Sequence, residues 1–130
     1  MDSSNENLTN SIRVEAHAYY LPEQSDPNEG RFVFGYTINI HNDGSLPAQL
    51  LTRHWLITDA NGRIQEVHGD GVVGEQPEIF PGMTHTYTSG ALLETPVGTM
   101  EGRYGMVSEA EGNFDTPIPV FRLAVPGVLN

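Results

Sequence analysis

The chain has 130 residues, no cysteine and a formal charge of −11, with 17 acids set against six arginines and no lysine. That length fits one domain, burying roughly two-thirds of the surface its unfolded chain exposes. The missing thiols exclude disulfides, thiolate nucleophiles and cysteine zinc sites together. Nucleic-acid binding relies on a basic patch that releases counterions from phosphate, and the six scattered arginines supply none in the sequence. No apolar run approaches the ~20 residues that cross a bilayer, so no membrane partner is expected. Met1 to Asn7 has neither a basic nor an apolar leader segment, so a cytoplasmic location is the simplest expectation.

Residues 1–11 are polar and aperiodic and read as a disordered tail; residues 12–130 read as one folded domain. From Ile12 to Tyr20, apolar and polar residues alternate with the period of a half-buried strand. Two prolines and a glycine in Leu21 to Gly30 make a loop. Arg31 to His41 is the strongest strand, with Phe32, Phe34, Tyr36, Ile38 and Ile40 on one face. Ala48 to Thr58 follows, carrying Trp55. Asp59-Ala60-Asn61-Gly62 then has the composition of a tight hairpin turn, and Arg63 to His68 returns from it. Thr84 to Thr88, Thr99 to Val107 and Phe114 to Val125 complete the series. Pro117 and Pro119 place the last strand at an edge or a bulge.

About seven strands without an amphipathic helix predict an all-β, immunoglobulin- or fibronectin type III-like antiparallel sandwich. Gly102-Arg103-Tyr104-Gly105-Met106 has the form of a tyrosine-corner strand, with Met106 where antibody domains carry a cysteine. Trp55 is the candidate buried tryptophan of that core.

The segment Gly69-Asp70-Gly71-Val72-Val73-Gly74 spells Gly-x-Gly-x-x-Gly. A dinucleotide fingerprint needs a helix after the glycines, because the helix N-terminus holds the pyrophosphate. Glu75-Gln76-Pro77 follows instead, and Asp70 and Glu75 repel phosphate. The segment reads first as a backbone device, a bulge or crossing that needs positive φ. An anion nest built from Gly69, Gly71 and Gly74 with Arg53 and Arg63 is the alternative. Glu66, His68 and Asp70 would share one face if their strand continues, and mixed oxygen and nitrogen donors suit a transition dication better than Mg²⁺. A solvated polar face explains the same three residues. The other histidines show no mutual ligand spacing. Arg53 and Trp55 share a face, which lets the arginine stem lie on the ring. Ser89 lacks the nucleophile elbow, and His85 lies four residues away, so no catalytic residue is assigned.

Longer motifs carry a family resemblance. Glu23-Gln24-Ser25, Arg53-His54-Trp55, Thr58 to Gly62, Gly69 to Pro77, Tyr87 to Gly90, Pro96 to Gly102 and Ile118 to Leu123 resemble the ApaG family, from about Ile12 onward. The resemblance implies a fibronectin type III-like sandwich in a bacterial, cytoplasmic protein that often dimerises. It also implies interaction modules, since related domains occur in F-box and polymerase-delta-interacting proteins. Bacterial members are linked to cobalt and magnesium tolerance, and their genes lie near a diadenosine tetraphosphatase. The expected function is a non-catalytic module contacting an unidentified protein or a second copy, without a cofactor. The alternative is binding of nucleotide, pyrophosphate or divalent cations.

Overall fold

A computed structural model describes residues 11–128. The tail assigned to residues 1–11 falls outside that range except for Ser11, which is buried, with its carbonyl accepting the Asp43 N–H at 2.8 Å.

Among the described residues, eight strands form two antiparallel sheets. They are β1 (Ile12–Tyr20), β2 (Phe32–Asn42), β3 (Ala48–Asp59), β4 (Ile64–Asp70), β5 (Glu78–Ile79), β6 (Thr84–Leu93), β7 (Val97–Ser108) and β8 (Gly112–Ala124). One sheet has the order β1-β2-β6; the other runs β4-β3-β7-β8, with β5 on β3. This is a fibronectin type III-like sandwich, and the strand that raises the expected count from seven to eight is the two-residue β5. Two short 3₁₀ turns interrupt the Leu21 to Gly30 loop.

Alternation along each strand sends one face into a single core. Phe34, Ile38 and Ile40 of β2 meet Leu50 and Trp55 of β3 and Met100, Tyr104 and Met106 of β7, all buried. Trp55 lies edge-on to Tyr36, Tyr104 and Phe121. Burying aromatic side chains of this size dominates core energetics, and edge-to-face pairs add about 1 kcal/mol each. Tyr104 departs from the tyrosine corner. In a corner the hydroxyl bonds to nearby backbone, whereas here it pairs with the Tyr87 hydroxyl of the opposite sheet. Tyr104 and Tyr87 are therefore a bridge between the sheets.

Three of the four sheet edges, β4, β6 and β8, carry features that discourage further strand pairing. β8 carries Pro117 and Pro119, and its pairing with β7 shifts register between Met100 and Gly102, so the prolines sit at an edge and beside a bulge. On the other side, Gln65 Nε2 donates to the Leu92 carbonyl at 3.2 Å, and Arg63 pairs with Glu94, tying β4 to β6. An edge stitched this way resists adding another strand.

Candidate functional site

The glycine-rich segment begins inside a strand. β4 continues through Gly69 to Asp70, so Glu66, His68 and Asp70 do share a face. Gly69 has ordinary extended backbone. Its missing side chain makes room for Arg53, whose guanidinium would stand 2.6 Å from a Cβ there. Arg53 Nη1 donates to the carbonyls of Asp70 and Gly71, both at 3.0 Å. The arginine expected to lie on the Trp55 ring thus clamps the start of the loop.

Beyond β4 the chain makes a two-residue turn. Val72 N–H donates to the Glu75 carbonyl at 2.8 Å, and Glu75 N–H returns to the Val72 carbonyl at 3.1 Å. Val73 and Gly74, between them, have φ of 48° and 80°, the signature of a type I′ turn. Gly71 is positive as well, at 67°, and a Cβ there would stand 2.3 Å from the Glu75 carbonyl oxygen. Val72 is driven into the core while Val73 projects into solvent.

The N–H groups of Gly71, Val72 and Glu75 go to backbone carbonyls, so of the glycines expected to form an anion nest (Gly69, Gly71 and Gly74) Gly71 has its N–H already engaged by the Leu51 carbonyl. Arg63 lies at the far end of the β3–β4 hairpin, paired with Glu94, and does not join Arg53. Arg53 instead borders a cavity of about 250 Å³ between the sheets, together with Tyr36, Trp55, Val72, Gly74 and Ser89. Among the described residues no carboxylate lies within 4.0 Å of Arg53. The Trp55 Nε1–H, buried beside this cavity, has no acceptor among them.

A second cluster gathers on the outer face of β3 and β4. Antiparallel register sets His54 opposite His68, and the rings stack with centroids 4.1 Å apart. Glu66, two residues before His68, accepts both: its Oε2 lies 2.6 Å from His54 Nε2 and 3.0 Å from His68 Nε2. Hydrogen bonds from His54 and His68 hold the Glu66 carboxyl below the usual glutamate range. His54, Glu66 and His68 place one donor atom each within 4.8 Å of one another, and Asp70 is not among them. Of the expected trio of Glu66, His68 and Asp70, the first two fall in this group and Asp70 does not, and His54 is the histidine that spacing along the chain missed. Chain spacing missed it because the pairing is across strands. The hairpin turn held the signal: Asp59 N–H donates to the Arg63 carbonyl, and counting back from that pair brings 54 opposite 68.

His85 and Ser89 both lie in β6, where four residues of strand span about 13 Å, beyond the reach of a proton transfer. Ser89 is instead the cross-strand partner of Tyr36, and both border the Arg53 cavity.

The ApaG domain model matches residues 22–108. Protein ApaG of Pseudomonas aeruginosa is 59% identical over 119 residues, spanning 92% of this chain and 94% of that protein. Protein ApaG of Azotobacter vinelandii is 57% identical over the same shares. A Bordetella pertussis crystal structure, named for an ApaA protein, superposes with a TM-score of 0.87 at 51% identity, covering 90% of this chain and 95% of that one. With motif, fold and relatives agreeing over most of its length, the chain belongs to the ApaG family.

Proposed function

We propose that this ApaG-family chain is a non-catalytic binding module whose loop end docks a basic segment of another protein. The observation that carries the reading is the turn between β5 and β6. Phe80 and Met83 are 51% and 59% exposed there, on a turn closed by Met83 N–H to the Phe80 carbonyl at 2.9 Å. Aromatic residues and methionine are enriched where surfaces meet partners, and both side chains here stand in water. Beside them a groove lined by Pro47, Gln49, Glu78, Val107 and Glu109 carries two carboxylates. Apolar anchors with an acidic rim, on a chain of charge −11, favour a basic partner over a second copy of an equally acidic chain. At β4, β6 and β8 the stitched or proline-bearing edges favour loop contact over strand addition.

The test is site-specific photocrosslinking from position 83, with a control probe at exposed Ile64. A basic protein captured only from position 83, and lost in Phe80→Asp, is the expected result. Equal capture from both positions, or none from either, overturns the reading.

A second reading rests on Arg53 and Trp55. A guanidinium without a carboxylate partner and a buried indole N–H without an acceptor, both among the described residues and beside one cavity, would suit a small anion such as pyrophosphate. Calorimetry with pyrophosphate and diadenosine polyphosphates tests it. Sub-millimolar binding lost in Arg53→Ala supports the anion, and an absence of heat across the panel sinks it.

A further inference from the structure

We propose that His54, Glu66 and His68 form a surface site for a divalent transition metal of the zinc or cobalt kind. The three donors come from two paired strands, so their backbone positions are set by the sheet rather than by a loop. His54 and His68 are direct cross-strand neighbours, and Glu66 lies on the same face of β4 two residues away. The His54 side chain is only 12% exposed, which holds one ligand in place, while Glu66 and His68 are 54% and 65% exposed and free to adjust.

The donor set selects the metal class. Two imidazoles and one carboxylate suit Zn²⁺, Co²⁺ or Ni²⁺, whereas Mg²⁺ and Ca²⁺ take oxygen ligands. Metal–ligand bonds of about 2.0–2.1 Å in a tetrahedral site separate neighbouring donors by roughly 3.3 Å. The present separations of 2.6 and 3.0 Å need only a small outward turn of Glu66 and His68. Water fills the remaining position, because the face is open. The acidic field of the whole chain draws cations toward it.

The same geometry limits affinity. Glu66 accepts from both Nε2 atoms, so each ring carries its proton there; ligation through Nε2 moves that proton to Nδ1. The Nδ1 of His54 is buried and has no acceptor among the described residues, so the carbonyl or carboxylate that normally orients a zinc-bound histidine is missing. Micromolar binding is expected, not the nanomolar binding of structural zinc.

The experiment is titration of the full, tag-free chain with Co²⁺, followed by its visible absorption and by Zn²⁺ competition. Variants are Glu66→Gln and His68→Ala, both at exposed positions, with His17→Ala on β1 as the control. Thermal unfolding by circular dichroism verifies that each variant is folded. The wild-type chain binds one equivalent of Co²⁺, Zn²⁺ displaces it, and Mg²⁺ at the same concentration does not. His68→Ala and Glu66→Gln weaken binding by more than about tenfold, and His17→Ala leaves it unchanged. Binding equal in His68→Ala and His17→Ala, or no saturation below about 1 mM metal, overturns the site.

Discussion

Val73 is the residue most at odds with its backbone. A β-branched side chain at φ 48° sits in the left-handed region, at a turn position that Asn or Gly fills without strain. Its side chain is in solvent, so replacing it removes little packing. Val73→Asn should therefore raise stability by about 1 kcal/mol, read as a higher denaturant midpoint at unchanged slope. A lower midpoint would mean that Val73 contributes something the isolated fold does not show. The Tyr87 and Tyr104 hydroxyls form the opposite case, a buried pair that, among the described residues, is satisfied only by each other. Tyr104→Phe or Tyr87→Phe alone leaves one hydroxyl stranded and costs about 2 kcal/mol. Tyr87→Phe with Tyr104→Phe should cost clearly less than the sum of the singles, which a double-mutant cycle measures. Burial, more than any charge, raises both phenol pKa values above the ordinary tyrosine range. The folded state thus keeps protons that the unfolded chain releases above about pH 10, and stability holds below that pH and falls as pH rises past it. Denaturation midpoints at alkaline pH should decline less in the double variant than in the parent chain.

At the scale of elements, the loop between β2 and β3 depends on one buried amide. Asn42 Nδ2 donates to the carbonyls of Leu46 and Ile79, at 2.8 and 2.9 Å, and its Oδ1 accepts the Gly44 N–H. Its backbone also grips the exposed turn: Asn42 N–H donates to Met83, and its carbonyl accepts from Gly82. Asn42→Ala strands three buried or half-buried groups and should cost about 3 kcal/mol. Hydrogen exchange should then show lost protection first at Gly82 and Asn42, so a uniform loss across all strands would contradict this account. In the sequence, Asn42-Asp43-Gly44 is legible only as a strand terminator, because turn composition says nothing about which carbonyls an amide will reach. The strands themselves were legible wherever one face is buried, as in β2, since burial imposes the period of two. β5 was not: two residues cannot display a period, and it exists because Ala48 and Gln49 offer a partner. The glycine segment was legible as a backbone device. Which glycines bend was not, since Gly69 serves Arg53 while Gly71 and Gly74 serve the turn.

Across the whole molecule, pairing between strands created both candidate sites, which is why neither could be read completely along the chain. Arg53 and Trp55 meet β2 and β6 only across the sandwich, and His54 meets His68 only in register. One global property needed no structure: 17 acids against six arginines. Among the described residues, four ion pairs use an arginine and all lie at the surface, where each is worth about 0–1 kcal/mol. Arg13 accounts for two of those four. Unneutralised acids therefore dominate the field, and their mutual repulsion opposes the compact state. Raising ionic strength from about 0.01 to 0.15 M shortens the screening length from about 30 to 8 Å, which weakens the long-range repulsion more than the contact pairs. Stability should consequently rise over this range of NaCl, as measured by the urea midpoint at neutral pH. A fall would mean that the few surface pairs outweigh the net charge. Arg13→Ala separates the two terms: it removes both pairs and takes the charge from −11 to −12, so its salt response should be steeper than that of the parent chain.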